Sequence, residues 1–417
     1  MTKTCPVFRL LAGANSYEWG KIGQTSKAGQ YARADPEFKL QNDKPYSELW
    51  MGTHPTLPSK LQSGETLYDH LKLHPELIGD AVRKRFGDDL PFLFKVLAIE
   101  KALSIQAHPN KELAEKLHKE RPDVIQPEMA IAITPFSGFC NFRPLNEIAL
   151  YLTTVPEFAS LISRSNPHAI SSFTPESSDP KPALRTLFEA LMTASDDQVK
   201  SALDTLINRY EGGGAKQEEA GVSELAQKLA KQYPGDVGVF CVFLLNVVEL
   251  KEGEAMFLQA DEPHAYISGD IIECMATSDN VVRAGLTPKL RDVPTLVSML
   301  TYNSGPADAQ RMKPQDFPSD SSSEPDSYTT LYDPPIPEFS VLLTDIPLSK
   351  SASHRPLDGP SIFIVTSGSG TLEFNSGSNK TEIKSEGEVW FVGAGTGVKF
   401  TAGSNGLVLY RAFVEAQ

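Results

Sequence analysis

The spacing of apolar residues changes period twice along the chain, and this limits its architecture more than any single motif does. From Leu10 to about Ile133, short runs such as Leu49-Trp50-Met51-Gly52 and Phe92 to Ile99 are punctuated by Pro, Gly and Asn, the pattern of strands joined by turns. Leu67 to Lys84 and Asn110 to His118 depart from it with helical spacing, and Asn110 is placed to cap the second. After Pro144 the period becomes helical in Asn146 to Leu152, Ala183 to Tyr210 and Val222 to Gln232; in the middle stretch Leu184, Leu187, Leu191, Val199, Leu203 and Leu206 make the apolar stripe. Pro234-Gly235 marks the return to strands, and Val239 to Val248 is almost continuously apolar. A strand-rich domain interrupted by a helical insert over residues 146–234 follows.

The second half repeats the strand rhythm. Residues 303–337 are rich in Pro, Ser and Asp and read as an exposed connection. Beyond them, Ser361 to Val365, Gly368 to Phe374, Gly387 to Val392 and Leu407 to Arg411 are strands separated by glycine turns, as in a jelly-roll barrel. No histidine follows His354, so this barrel is expected to be metal-free. The fold class is therefore mainly β with α. Its expected domains are 1–145 joined to 235–302, the insert at 146–234, the connection at 303–337 and a C-terminal barrel at 338–417, which suits 417 residues.

Charge and cysteine usage narrow the partners. A net charge of -14 argues against nucleic acid, whose phosphates need a field of Lys and Arg; an anionic ligand must meet a local patch such as Arg283, Lys289 and Arg291. No apolar stretch reaches membrane-spanning length, and Met1 to Pro6 lacks the apolar region of a secretory signal, so a cytoplasmic protein is expected. Cys5, Cys140, Cys241 and Cys274 are too dispersed for a thiolate metal site or a disulfide framework.

In Leu103 to Pro109, strand alternation sets Ser104, Gln106 and His108 on one face. Such a polar stripe suits a metal or a sugar. Glu128, after the turn at Pro127, and His264 in Asp261-Glu262-Pro263-His264 would complete a set of two imidazoles, one carboxylate and one amide oxygen. Each residue alone is as well explained as a core histidine or a surface acid; the combination carries the reading.

Three long motifs in order give these residues a context: Leu103 to Leu113, Pro127 to Phe136, and Glu262 to Asp270 continuing through Ser278 to Lys289. They closely resemble those of the type I mannose-6-phosphate isomerases, and Tyr17-Glu18-Trp19-Gly20 and Glu48 to Pro55 extend the likeness toward the N-terminus. The resemblance implies a zinc enzyme of the cupin superfamily, with a cupin jelly-roll catalytic barrel, a helical insert domain and a second barrel. It implies one Zn2+ per chain held by Gln106, His108, Glu128 and His264, a small sugar phosphate as the ligand, a monomer, and a place at the entry to GDP-mannose formation and protein glycosylation.

Interconversion of mannose 6-phosphate and fructose 6-phosphate moves a proton between neighbouring carbons through an enediol, which needs a base besides the metal. Asp279, Glu273 and a nearby lysine are the candidates, with Asp279 preferred, and Arg283 is suited to developing negative charge or to an anionic sugar. Ser104, Trp19, Glu48, Lys101, Lys111 and Lys289 are candidate substrate contacts. The chain departs from the family before the glutamate ligand, where Asn-His-Lys-Pro-Glu is replaced by Val124-Ile125-Gln126-Pro127-Glu128. A paralogue that binds zinc and sugar phosphate with weakened catalysis is the alternative expectation.

Overall fold

The computed structural model describes residues 4–110, 127–276, 281–318 and 327–416. Most of its strands form two antiparallel sheets of ten strands each, and five of the helices are gathered between residues 145 and 232. The backbone of the first sheet runs in the order Leu245–Leu250, Phe136–Phe142, His264–Ala276, Phe92–Ile99, Glu48–Met51 and Gly13–Asn15. Ile105–Ala107, Val282–Gly285, Glu128–Ala132 and Ala255–Leu258 are attached around its long central strand, closing a cavity against it.

Phe92–Ile99 is buried along its whole length because both of its faces are covered. Phe94, Val96 and Ala98 share a core with Ile362, Val389 and Phe391 of the second sheet, whereas Leu93, Lys95 and Leu97 face the cavity. Its continuous apolar run is thus the signature of a strand sandwiched between two barrels. On the other side of the cavity, Ile105 and Ala107 pack into the helical core with Phe139, Phe243 and Leu286, leaving Gln106 between them to point inward.

Five helices make the insert: Leu145–Thr154, Pro156–Ser165, Lys181–Met192, Asp196–Glu211 and Ala220–Gln232. The helical stretch from Ala183 to Tyr210 is two helices. The first ends at Met192 with Thr193 as its C-cap, and Ser195 starts the second with a capping box, its hydroxyl accepting from the Gln198 amide at 3.4 Å while the Gln198 side chain accepts from the Ser195 amide at 3.2 Å. Leu67 to Lys84 is likewise divided, into Leu67–Leu73 and Asp80–Phe86. Pro75 ends one helix, and Gly79 turns with φ 86° where a Cβ would sit 2.2 Å from the Asp358 carbonyl oxygen. The helix expected from Asn110 to His118 lies outside the described residues beyond Asn110.

Three further expectations are corrected. Val237–Phe243 is a buried 3-10 helix, and strands resume only at Leu245–Leu250; the Asp236 carboxylate fixes this turn by accepting from the amides of Gly238, Leu286 and Thr287 at 2.7, 2.8 and 3.0 Å. Val7–Leu11 joins the second sheet by pairing with Val389–Val392. Residues 303–337 are more than an exposed connection: Gln315–Asp316 and Thr329–Tyr332 extend the second sheet, and Phe317 and Tyr332 are buried. Two aromatic anchors dock a segment whose average composition is polar.

Candidate metal centre

Ser104, Gln106 and His108 line one cavity of about 270 Å³, together with Glu128, His264, Glu273 and Arg283. The register explains the meeting: Gln106 lies opposite His264 on one side and Arg283 on the other. Glu128, at the start of its strand, lies opposite Met275. Larger clefts exist, one of about 510 Å³ beside Phe317 and Arg355, but among the described residues only His108, Glu128 and His264 form a cluster able to hold a metal.

The ligand atoms of these three lie within 4.8 Å of one another, on side chains that are all buried. Glu128 Oε1 is 3.2 Å from His108 Nε2 and Oε2 is 3.6 Å from His264 Nε2. Burial alone would raise the Glu128 carboxyl, but the facing His108 and His264 imidazoles hold it well below the usual carboxylate range. His264 Nε2 is buried with no hydrogen-bond partner, an arrangement that costs stability unless a cation takes the lone pair. Gln106 Nε2 lies 3.4 Å from His108 Nε2, and its Oε1 accepts from Ser104 Oγ at 3.3 Å. A half-turn of the amide exchanges its oxygen and nitrogen and would aim the oxygen at the cluster. The donor set fits a divalent ion of zinc type: two imidazoles, one carboxylate and one amide oxygen within reach.

The long His264–Ala276 strand serves the cavity from both ends. His264 and Tyr266 at even positions and Glu273 and Met275 at odd positions all face it, which regular alternation forbids. A bulge reverses the faces: Ser137 lies opposite Ser268, yet the next residue, Gly138, lies opposite Tyr266. Gly269 follows with φ 119°, where a Cβ would meet Phe136 Cα and the Pro135 oxygen at 2.8 Å.

Glu273 stands cross-strand from Lys95, with Lys95 Nζ 3.0 Å from Glu273 Oε2 and 4.8 Å from the Trp50 ring centre. Burial outweighs Lys95 at Glu273 and lifts its carboxyl above the ordinary range. Lys95 is also buried, but Glu273, Glu48 and Glu128 converge on it and hold it as an ammonium. Glu48 is oriented by Trp50 Nε1 and Asn15 Nδ2, which donate to its Oε2 at 3.0 and 3.1 Å. Lys95 and Tyr266 complete, with Trp50 of the Glu48 to Pro55 motif, a polar wall; the motifs did not single out the first two as site residues. Lys95 did leave a signal, as the one charge in the apolar run Phe92 to Ile99.

Other candidates lie elsewhere. Trp19 packs beside the Leu97 and Ile99 core and takes the amides of Glu100 and Lys101 on its carbonyl. Lys101 sits over the Tyr233 ring, 4.4 Å from its centre, and shares a neighbouring cleft with the exposed Lys289. None of the three lines the metal cavity; Trp19 packs against a neighbouring core, and the two lysines line another cleft. Lys111, Ile125, Gln126 and Asp279 lie outside the described residues.

Residues 7–145 match the model of the phosphomannose isomerase type I catalytic domain, residues 154–245 that of its helical insertion domain, and residues 330–376 that of its C-terminal region. Mannose-6-phosphate isomerase of Cryptococcus neoformans is 50% identical, the match covering 98% of this chain and 99% of that one. The chain belongs to the type I phosphomannose isomerase family. Mannose-6-phosphate isomerase of Saccharomyces cerevisiae, 44% identical over the same shares of the two chains, belongs with it. Among solved structures, a zinc-bound mannose 6-phosphate isomerase superposes with a TM-score of 0.78 at 29% identity, covering 99% of this chain and 100% of that one. The metal-free form from Salmonella typhimurium gives 0.79 at 28% identity over the same shares.

Proposed function

We propose that this chain is a zinc-dependent aldose-ketose isomerase that interconverts mannose 6-phosphate and fructose 6-phosphate, supplying mannose units for GDP-mannose formation. The observation that carries the reading is the convergence of His108, Glu128 and His264, with an unpartnered His264 nitrogen, beside the buried Lys95 and Glu273 pair. Relatives bearing that activity by name at 44–50% identity over nearly full length support it. Gln106, His108, Glu128 and His264 would hold one zinc ion per chain, which when bound polarises the sugar's oxygens and eases enediolate charge.

The protein's own residues then divide the work. Glu273, its carboxyl raised by burial, is suited to take the C2 proton of the open-chain aldose and return it at C1, while the O2 proton moves to O1; the aldehyde carbon is reduced and C2 oxidised, with no external redox partner. Lys95 keeps Glu273 in place and presents an ammonium to the developing oxyanion. Arg283 and Ser104, at the rim beside Gln106, would grip the anionic sugar, and Glu48 would accept from a hydroxyl. Asp279 remains the second candidate for the base. We propose a working monomer in the cytoplasm, as the resemblance to the family implies; among the described residues no helix is long and apolar enough to cross a membrane.

The test is conversion of mannose 6-phosphate to fructose 6-phosphate by the full chain, with chelator and after zinc is restored. Turnover lost on chelation and recovered with zinc is expected. Zinc-loaded protein without turnover would refute the isomerase reading and leave the binding paralogue, which the exchange of Ile125 and Gln126 favours.

A further inference from the structure

We infer that Glu262 is a positioning residue that locks the two histidine ligands in register, an inference that rests on the metal-site reading above. Asp261 and Glu262 bridge the two histidines through their main chain. The Asp261 amide donates to the His108 carbonyl at 2.8 Å, and the Glu262 carbonyl lies 3.2 Å from His264 Nδ1. A carbonyl can only accept, so Nδ1 carries the proton and Nε2 presents its lone pair to the cluster.

Asp261 has φ 62°, a left-handed conformation that Asp adopts more readily than most non-glycine residues, and its carboxylate is anchored as well. The Asp261 carboxylate accepts from Asn110 N and Nδ2 at 3.0 and 2.6 Å. The buried Glu262 carboxylate turns away from the cavity and accepts on Oε1 alone, from the Thr301 hydroxyl and from Asn303 Nδ2 at 2.8 Å. Asn303 in turn accepts from Lys181 Nζ at 2.7 Å, tying the clamp to the first turn of an insert helix. Glu262 Oε2 is buried without a partner. A half-satisfied buried carboxylate outside the substrate cavity is a cost to the fold, and what it holds is the turn that aims His264.

The orphan oxygen makes the idea separable from a simple need for charge. Gln at 262 keeps the Oε1 acceptor and both donors, whereas Ala removes the clamp. Cobalt-loaded full-length protein reports the ligand geometry in its visible spectrum, and competition with a chelator reports affinity. Glu262→Ala is expected to weaken cobalt and zinc binding about 10- to 100-fold and to change the cobalt spectrum, with Glu262→Gln within about threefold of wild type. The pair Thr301→Val with Asn303→Ala, which leaves Glu262 untouched, is expected to follow Glu262→Ala and carries the comparison if that variant does not fold. Wild-type affinity and spectrum in Glu262→Ala, or in the Thr301 and Asn303 pair, overturn the inference. So does equal loss in Gln and Ala, which would assign the effect to charge. Failure of wild-type protein to bind either metal instead removes the metal-site reading itself.

Discussion

Replacing Lys95 by Met tests both the energetics and the chemistry of the cavity wall. The Lys95 and Glu273 side chains are 9% and 5% exposed and their charged atoms are 3.0 Å apart. At an effective dielectric of about 20, that separation corresponds to a gross attraction of about 5 kcal/mol. Met restores the stem's volume but leaves Glu273 buried beside Glu48 and Glu128 with no cation, the situation in which losing one partner of a buried pair costs about 3–5 kcal/mol. The contact with the Trp50 ring at 4.8 Å is lost as well, for about 1–2 kcal/mol when desolvated. Net destabilisation of about 4–7 kcal/mol is therefore expected in urea unfolding of metal-free protein. Turnover should fall by about 10²- to 10³-fold, the usual worth of one donor to a developing oxyanion. The double variant with Glu273→Gln separates the two effects: removing both charges should recover most of the stability and none of the activity. Lys95→Met protein that unfolds within 1 kcal/mol of wild type and keeps its kcat, judged against the ~1 kcal/mol spread of mutational values, would refute the assignment.

Further outcomes follow from other parts of the molecule. Glu128→Gln should lower zinc content at equilibrium dialysis, because a carboxylate facing two imidazoles becomes a neutral amide; unchanged stoichiometry and affinity would exclude Glu128 as a ligand. Ile125→His with Gln126→Lys should raise kcat if the departure from the family weakens catalysis, and an unchanged kcat assigns the chemistry to other groups. Phe94→Ala, in the core shared by the two barrels, should cost about 3–5 kcal/mol in chemical denaturation; a cost below 1 kcal/mol is incompatible with that packing. Burial and the nearby Arg411 guanidinium hold His354 well below its ordinary range, so the unfolded chain takes up a proton first as pH falls. Its stabilising share is complete above about pH 6.5 and lost below it, by about 1.4 kcal/mol at pH 5.5, and His354→Gln should flatten that part of the stability profile. A profile identical to wild type would mean that His354 takes up its proton as readily in the fold as in the unfolded chain, and would overturn this assignment.

The parts of the site that were legible in the sequence are those set by local periodicity. Ser104, Gln106 and His108 share a face because strand alternation has period two, and the helical insert announced itself by a change of period. Capping chemistry is local too, but the Ser195 box lay inside an unbroken apolar stripe and divided a stretch that reads as one helix. Distant partners were harder. Lys95 was visible as a charge inside an apolar strand, yet its role depended on Glu273 lying cross-strand, a register that no nearby residue announces.

What the sequence determined by itself is the set of donors and the order of strand-rich, helical and strand-rich segments, since residue type and spacing fix both. What only the tertiary structure decided is which residues meet. The bulge at the Ser137 and Gly138 register shift reverses the faces of the His264–Ala276 strand and brings Glu273 into the cavity with His264, although their spacing assigns them to opposite sides. The pairing of Val7–Leu11 with Val389–Val392 and the burial of Phe317 likewise depend on surfaces far away in the chain. The physical reason is common to all three: alternation and propensity act over a few residues, whereas register, bulges and sheet partners are chosen by the burial and hydrogen bonding of the whole fold.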